Sequence, residues 1–298
     1  MGSGILAGLA AGALWGLVFV APRMTRGFAG IDLTAGRFLV YGIVSVAVLA
    51  LSWRRARRPT WAQAWGALWL SVLGFTGYYW VLVLAIRDAG TEMPALIVGL
   101  IPLWVMLLGK PGHLRWRTLA PGLLLTAAGL FLMSRAVHAG ASAAGALPHY
   151  TRGLALSVLA MACWTAFSLL NAAWLRRHPD VSATDWANWL GVATGLGGLV
   201  LALGLGTPLP RLMAQPGWPL FALVVLGIGF GSSWLATILW NLASQRLAAS
   251  LCGQLIVSET LFALLYSFAW DGRWPSAMQL SAAFLFTLGI LASIKAHQ

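Results

Sequence analysis

Two ionisable side chains, Arg37 and Glu259, interrupt long apolar stretches of the chain. A charge inside a hydrocarbon layer costs about 2.5–3.5 kcal/mol on insertion scales, so such residues usually bind something or pair with one another. Glu259 is the carboxylate nearest the middle of an apolar stretch, which makes it the candidate for proton coupling or for binding a cation. A structural role, capping a helix or pairing with Arg37, is the alternative, and Arg37 has the further option of extending its guanidinium to the outer surface.

Four aromatic side chains are candidates for stacking on a flat substrate ring: Trp15, Tyr78, Trp164 and Trp234. Each lies on a helical face that also carries small or polar residues, and such faces are typical of helices that pack on protein. The first stretch shows this best, with glycine at positions 4, 8, 12 and 16. At about 100° per residue, Trp15 points the same way as Gly8, so we expect its ring to face protein.

Polar side chains on the same faces are candidates for binding the charged end of a zwitterion: Asn171, Asn241, Gln254 and Ser258. In the eighth stretch, a regular helix would place Gly227, Trp234 and Asn241 on one inward face. The alternative for each polar residue is ordinary hydrogen bonding between helices, worth about 1 kcal/mol or less.

Two prolines in the fourth stretch, Pro94 and Pro102, give another kind of candidate. Each removes a backbone donor and frees the carbonyl four residues earlier, at Gly90 and Val98. In a membrane such a carbonyl needs protein, water or a ligand as its partner. A substrate ammonium would satisfy it, while a simple kink that helps the helices fit is the alternative.

These candidates lie in a chain of 298 residues that is 60% hydrophobic and 9% charged, with a mean hydropathy of +0.82. That composition excludes a water-soluble domain. A helix needs about 20 apolar residues to cross a hydrocarbon core roughly 30 Å thick. Ten stretches qualify, and we predict an all-α membrane protein with spans at 4–22, 33–52, 62–84, 93–109, 118–137, 152–175, 183–205, 217–242, 250–270 and 276–294.

The formal charge of +12 follows membrane topology rather than a nucleic-acid site. When ten spans alternate, the side that holds the N-terminus collects eleven basic residues and the other side seven, with Arg37 inside a span. Because cytoplasmic loops carry the excess of Lys and Arg, we expect both termini in the cytoplasm. The run Arg54–Arg58 supplies much of the bias, and it lies at a membrane edge where anionic lipid attracts it.

The second half of the chain is similar to the first. Residues 4–15 align with 153–164 at an offset of 149, which matches Trp15 with Trp164, and the offset rises to 151, 157 and 160 along the chain. The sequence therefore predicts five-helix repeats at 1–139 and 151–298, joined by a linker at 140–150 that is rich in Ala, Gly and Ser. An odd number of spans per copy makes the repeats inverted, and inverted repeats are typical of carriers with a binding site at the repeat interface.

Other classes of function fit less well. The five histidines lie in loops or at the C-terminus, and no span contains HExxH, paired Asp or a Ser/His constellation, so an intramembrane enzyme is a distant alternative. No motif indicates a metal or a cofactor. Cys163 and Cys252 lie inside spans, where we expect packing residues rather than a disulfide. A channel lacks the ring of charges or carbonyl motif that it needs.

Several ordered motifs resemble a known group of carriers. They are Leu33-Thr-Ala-Gly-Arg37-Phe-Leu, Gly99-Leu-Ile-Pro102-Leu and Leu125-Thr-Ala-Ala-Gly129, together with the two five-helix repeats. The chain resembles the EamA branch of the drug/metabolite transporter superfamily along almost its whole length. Its aromatic third span, Gly74–Trp80, and the segment Val-Ser-Glu259-Thr-Leu are most similar to bacterial aromatic amino acid exporters of the YddG type.

This resemblance implies a basket-like fold of ten helices whose central cavity is lined by helices 1, 3, 4, 6, 8 and 9. It also implies a multi-pass protein of the bacterial inner membrane that exports aromatic amino acids without a cofactor. Export of another small metabolite or of a flat organic cation is the alternative. Many members of the branch have a proline where this chain has Glu259. The partners expected are the small-molecule substrate and the lipid bilayer, with the oligomeric state open and a monomer as one option.

Overall fold

The computed structural model describes residues 1–52, 58–90, 92–112, 114–138, 149–272 and 274–298, and within these ranges it is helical without a β-strand. Nine of the helices described are long and apolar enough to cross a membrane, and a tenth is apolar but shorter. We number them α1 Gly2–Met24, α2 Gly30–Leu51, α3 Trp61–Ala89, α4 Met93–Leu108, α5 Trp116–Arg135, α6 Tyr150–Arg177, α7 Ala183–Leu205, α8 Trp218–Arg246, α9 Ala249–Trp270 and α10 Ala277–Ala296.

All ten predicted spans are helices, so the predicted fold class is confirmed. Most ends lie within three residues of the prediction, and α7 coincides with it at 183–205. The larger differences are the C-terminal ends of α3 and α8, which extend to Ala89 and Arg246. The predicted linker 140–150 lies outside the described residues except for its last two, and of these Tyr150 begins α6. Arg54, Arg55, Arg57 and Arg273, which contribute to the charge bias, are also outside them.

Helix α4 is interrupted in the middle. Its helical pieces are Glu92–Val98 and Ile101–Leu108, with a turn at Gly99 and Leu100 between them. Pro102 is the second residue of the second piece, a position where the missing N–H has no partner to lose. The proline therefore starts a new helical piece instead of kinking a continuous one.

Helices α3 and α8 share an unusual local structure. Each spans 29 residues and begins at a tryptophan. Each has 11 α-helical residues, Trp61–Ser71 and Trp218–Ile228, followed by a π-helical segment, Val72–Thr76 in α3 and Gly229–Leu235 in α8. Such segments are rare and often lie at functional sites. Their recurrence at equivalent positions is what a duplicated structure requires.

The packing pattern is unchanged when each helix of one half is exchanged for its counterpart in the other. Helix α1 packs on α8 and α9, and α6 packs on α3 and α4. Likewise α2 packs on α8, and α7 packs on α3. Three further pairs are self-equivalent under the exchange: α2 with α7, α5 with α10, and α4 with α9. The core is thus built between the two halves rather than inside each.

The two halves also run in opposite directions. Met1 lines a surface pocket together with Arg246 and Gln298, so α1 begins at the end of the bundle where α8 and α10 finish. Arg152, in the first turn of α6, forms a salt bridge with Asp88 in the last turn of α3, at the opposite end. We call the end that holds Met1 the terminal end and the end that holds Asp88 the distal end.

Glycines allow the closest contacts between helices. At the crossing of α2 and α7, a Cβ on Gly42 would lie 2.6 Å from Cα of Gly195. Along α1, the glycines at positions 8, 12 and 16 all face α9, where a Cβ would meet Leu255, Ser258 and Phe262. Because lipid gives no hydrophobic reason for helices to associate, this close packing is a main source of cohesion.

Candidate functional site

Three indole rings from both halves meet in one cluster, which we call the indole cluster: Trp15 of α1, Trp164 of α6 and Trp240 of α8. The ring centroids of Trp15 lie 6.2 Å from Trp164 and 5.3 Å from Trp240, and those of Trp164 and Trp240 are 6.3 Å apart. The prediction that Trp15 faces protein is confirmed. Edge-on and tilted contacts of this kind are favoured by the charge distribution of aromatic rings.

The local backbone explains how these rings are positioned. The glycine face of α1 lies flat against α9, which turns Trp15 towards α6 and α8. Trp240 follows the π-helical segment of α8 and is 1% exposed. Its indole N–H is buried and has no acceptor. A buried donor without a partner is costly, so this N–H is an available hydrogen-bonding group for a ligand.

A second group surrounds the buried arginine. The guanidinium carbon of Arg37 lies 4.9 Å from the ring centroid of Phe38 and 4.8 Å from that of Tyr79. Tyr79 also contacts the ring of Tyr78 at 5.0 Å. Glu259 interacts electrostatically with Arg37, and Tyr78 lies within range of both charges. We call Arg37, Glu259 and the two tyrosines the charged group.

Aromatic contacts connect the indole cluster with the charged group. Trp164 contacts Phe167 at 6.0 Å, Phe167 contacts Phe75 at 5.4 Å, and Phe75 contacts Phe38 at 6.0 Å. Both places therefore belong to one continuous aromatic interior that runs from α8 to α2. Trp164 packs against the hydrophobic cores on either side of it.

Trp234 lies elsewhere on this interior. Its indole N–H donates to Oδ1 of Asn188 at 2.8 Å, and its ring contacts Phe230 at 5.1 Å. It is only half-buried, at the edge of the core between α7 and α8. The structure thus brings Trp15 and Trp164 into contact and places Tyr78 and Trp234 in separate contacts.

The two predicted asparagines bind each other. Nδ2 of Asn171 donates to Oδ1 of Asn241 at 3.0 Å, and Oδ1 of Asn171 accepts from the indole N–H of Trp186 at 2.7 Å. Nδ2 of Asn241 makes a longer contact, 3.4 Å, with the carbonyl of Ala183. Both amides are fully buried. In this conformation they join α6, α7 and α8.

The two predicted polar residues of α9 also have partners in the protein. Gln254 exchanges hydrogen bonds with Thr126 of α5 and accepts one from Ser293 of α10. Ser258 donates to the carbonyl of Leu255 at 2.7 Å and faces Gly12. Pro94 and Pro102 lie on either side of the interruption in α4, and Pro102 is buried.

Comparison with known proteins gives the family. A model of the EamA-like transporter family matches residues 2–135. Inner membrane protein YtfF of Escherichia coli (strain K12) is 31% identical over 306 residues, which cover 99% of this chain and 95% of that protein. The chain belongs to the EamA-like transporter family. It is therefore a multi-pass transporter of the bacterial inner membrane.

Two further matches support this EamA-like fold. The aromatic amino acid exporter YddG of Ancylobacter novellus (strain ATCC 8093 / DSM 506) is 25% identical over 307 residues and is covered, like this chain, to 99%. A solved crystal structure superposes with a TM-score of 0.79 over 100% of this chain and 98% of its own, at 21% identity. At that identity the superposition shows the fold alone.

Several aromatic members of this EamA-like interior are not predicted by the helical projection: Trp240, Tyr79, Phe75 and Phe167. The projection also puts Gly227 on the inward face of α8, which is wrong, because Gly227 is exposed and a Cβ added to it would meet no atom within 4 Å. Each π-helical segment adds a residue to a turn and rotates the rest of its helix relative to a regular one. In α8, Gly227 before the segment and Asn241 after it therefore do not share the face that about 100° per residue predicts.

The two ends of the bundle differ in their packing. At the terminal end, a pocket of about 630 Å³ lies between α4, α6 and the loop from α8 to α9, and Leu169 and Arg176 line it. At the distal end, Arg152 donates to both carboxylate oxygens of Asp88, at 2.6 and 3.0 Å. There a Cβ on Gly153 would lie 2.5 Å from Cβ of Ala89, so α3 and α6 are in tight contact.

Proposed function

We propose that this transporter exports aromatic amino acids by alternating access, with the two halves exchanging packing around the indole cluster. The observation that carries the proposal is the contact of Trp15 and Trp164, which are equivalent in the two halves, with each other and with Trp240. A flat ring bound among three indoles contacts both halves at once. Its binding therefore responds to their relative position, as alternating access requires.

The export direction rests on the topology. Eleven basic residues flank the spans on the terminal side and seven on the distal side, which favours a cytoplasmic terminal end with both termini inside. The pocket between α4, α6 and α8 then opens to the cytoplasm. On this topology the pocket lies on the side from which an exporter takes up its substrate.

Relatives support the substrate class. A 25% identical protein carries the name aromatic amino acid exporter, and its match extends over 99% of both chains. The aromatic interior of this chain offers the same chemistry: stacked and tilted aromatic rings, few charges and, among the described residues, the unpartnered indole N–H groups of Trp189 and Trp240. The buried amides Asn171, Asn241 and Gln254 are assigned to holding helices together in this state, because their hydrogen bonds are already made.

A flat organic cation is the second candidate. Glu259 supplies a negative charge inside a span, and indole faces attract cations. Such a substrate needs no carboxylate, so it would not use Arg37. A zwitterionic amino acid should therefore compete well with an aromatic amino acid substrate and poorly with a flat cation.

The test is counterflow in proteoliposomes that contain the purified protein. Vesicles loaded with unlabelled tryptophan should accumulate radiolabelled tryptophan transiently, and phenylalanine and tyrosine should compete better than alanine or lysine. A parallel series with a flat quaternary cation as competitor addresses the alternative. Absence of tryptophan counterflow, with active cation counterflow in the same vesicles, would replace the first candidate by the second. Repeating the assay with a pH gradient reports whether protons are coupled.

A further inference from the structure

Arg37 is a buried cation whose hydrogen-bonding capacity is unused. Its side chain is 6% exposed, and Nε is buried with no partner. Within the part of the chain that the structure describes, its contacts are the faces of Phe38 and Tyr79. Aromatic faces stabilise the charge, but they accept none of the five N–H bonds of a guanidinium. A buried donor of this kind indicates a site for an acceptor that the protein itself does not supply.

The depth of Arg37 argues against a surface function. The residue lies seven positions after the start of α2 at Gly30, which is about 10 Å along the helix axis. The aromatic contacts with Phe38 and Tyr79 hold the guanidinium inside the bundle rather than at the distal surface. Arginine presents a planar fork of donors that matches a carboxylate in two parallel hydrogen bonds.

Glu259 provides the opposite charge from the other half of the molecule. It lies ten residues into α9, and its backbone N–H is close to Gly12 of α1, one turn before Trp15. It interacts electrostatically with Arg37, yet no ion pair joins the two within the described ranges. Opposite charges in a low dielectric attract strongly, so two charges that the protein does not pair with each other can each bind the opposite charge of a ligand.

We propose that Arg37 and Glu259 bind the two ends of a zwitterion, with the α-carboxylate of an amino acid on the guanidinium and its α-ammonium on the carboxylate. This inference rests on the proposed function and specifies how the backbone of the substrate is recognised. Tyr78 belongs to the same charged group through its ring contact with Tyr79 at 5.0 Å. Since α2 belongs to the first half and α9 to the second, the substrate connects the halves through its charges as well as through its ring.

The experiment compares three competitors of radiolabelled tryptophan in counterflow: tryptophan, tryptamine, which lacks the carboxylate, and indole-3-propionate, which lacks the ammonium. For the wild-type protein, each analogue should compete about ten- to a hundredfold more weakly than tryptophan, because a charge-assisted bond is lost. In Arg37→Gln the advantage of tryptophan over tryptamine should disappear. In Glu259→Gln the advantage of tryptophan over indole-3-propionate should disappear. Arg37→Gln should keep the advantage over indole-3-propionate, and Glu259→Gln should keep the advantage over tryptamine.

A matched control is Arg87→Gln, which removes an exposed arginine of α3 near the same end and should leave all three values unchanged within about twofold. Equal competition by the three compounds with wild type, or the same loss for both analogues in both variants, would overturn the proposal. If Arg37→Gln does not fold, the proposal is tested by the competition of the three compounds with wild type and with Arg37→Lys. Arg37→Lys keeps the charge and should retain part of the tryptophan advantage.

Failure of the proposed function is distinguishable from failure of this inference. If the protein exchanges another amino acid instead of tryptophan, the same comparison is made with leucine, isoamylamine and 4-methylpentanoate. If leucine then competes no better than either analogue, the zwitterion site is rejected, whichever side chain the substrate carries. Retention of both preferences keeps the site and rejects the aromatic specificity alone.

Discussion

Trp15 and Trp164 stand at equivalent positions of two inverted halves, and their rings meet edge to face with centroids 6.2 Å apart. Two residues related by the internal symmetry can touch only near the axis that relates the halves. A motion that exchanges the conformations of the halves must therefore change this contact. The contact also continues into Trp240 and Phe167, so a change there reaches α8 and the core around α2 and α7.

Removal of one indole should weaken substrate binding more than it weakens the fold. For Trp164→Ala we expect the apparent affinity for tryptophan in counterflow to fall about tenfold, because an aromatic pair and its contact area are lost. Trp164→Phe should retain more of the apparent affinity for tryptophan than Trp164→Ala does. The control is Trp61→Ala, since Trp61 is 83% exposed at the terminal end. Unchanged tryptophan transport by the Trp164→Ala protein would remove the indole cluster from the site.

The crossing of α2 and α7 should not tolerate a methyl group. Gly195→Ala places Cβ 2.6 Å from Cα of Gly42, which forces the two backbones apart. We expect a loss of about 1–3 kcal/mol in the free energy of unfolding. Gly204→Ala on the same helix is the matched control, because nothing lies within 4 Å of its Cβ position. The thermal melting of the two purified variants in detergent checks this, and equal midpoints would contradict the packing described.

The Asp88–Arg152 pair should favour closure of the distal end. Asp88→Asn removes one charge from a bond with two N···O contacts, and we expect the equilibrium to shift towards an open distal end by less than about tenfold, since Arg152 is largely exposed. A cysteine at Ser157, in a protein without Cys163 and Cys252, should then react faster with an impermeant thiol reagent from the distal side. Asp185→Asn, near the terminal end, serves as the control. Equal reaction rates would show that the pair does not hold the closed state.

Both termini should be accessible from the cytoplasm. Met1 and Gln298 line the same pocket, so the two ends of the chain must lie on one side of the membrane whichever side that is. The excess of basic residues assigns it to the inside. A protease-cleavable tag on either terminus should be cut in inverted vesicles and protected in intact spheroplasts. The reverse result for both tags would invert the topology and turn the proposed export into uptake.

Features that depend on a regular helix could be predicted from the sequence. The spans follow from apolar length, and the inward direction of Trp15 follows from glycines at every fourth residue of α1. The opposite directions of the halves follow from an odd number of spans in each. These predictions need only the helical period and the thickness of a bilayer.

The contacts within the candidate site could not be predicted, because they depend on irregular backbone or on partners far away in the chain. Trp240 and Tyr79 follow π-helical segments, whose positions the helical period does not predict. The bond between Asn171 and Asn241 joins residues 70 positions apart, and its neighbour Trp186 comes from a third helix. Whether an inward amide binds a substrate or another helix is decided by such pairs, and a single helical face does not contain them.

Alternating access requires that the indole cluster be exposed to each side of the membrane in turn, and a labelling experiment measures this exposure. Met161, like Trp15 and Trp164, packs against the core that contains Trp240, so Met161→Cys in a protein without Cys163 and Cys252 reports on the cluster. We predict that an impermeant thiol reagent reaches this cysteine from either side of the membrane in turn, and that tryptophan slows the reaction from both. Reaction from one side only, at a rate that tryptophan does not change, would contradict alternating access around the indole cluster.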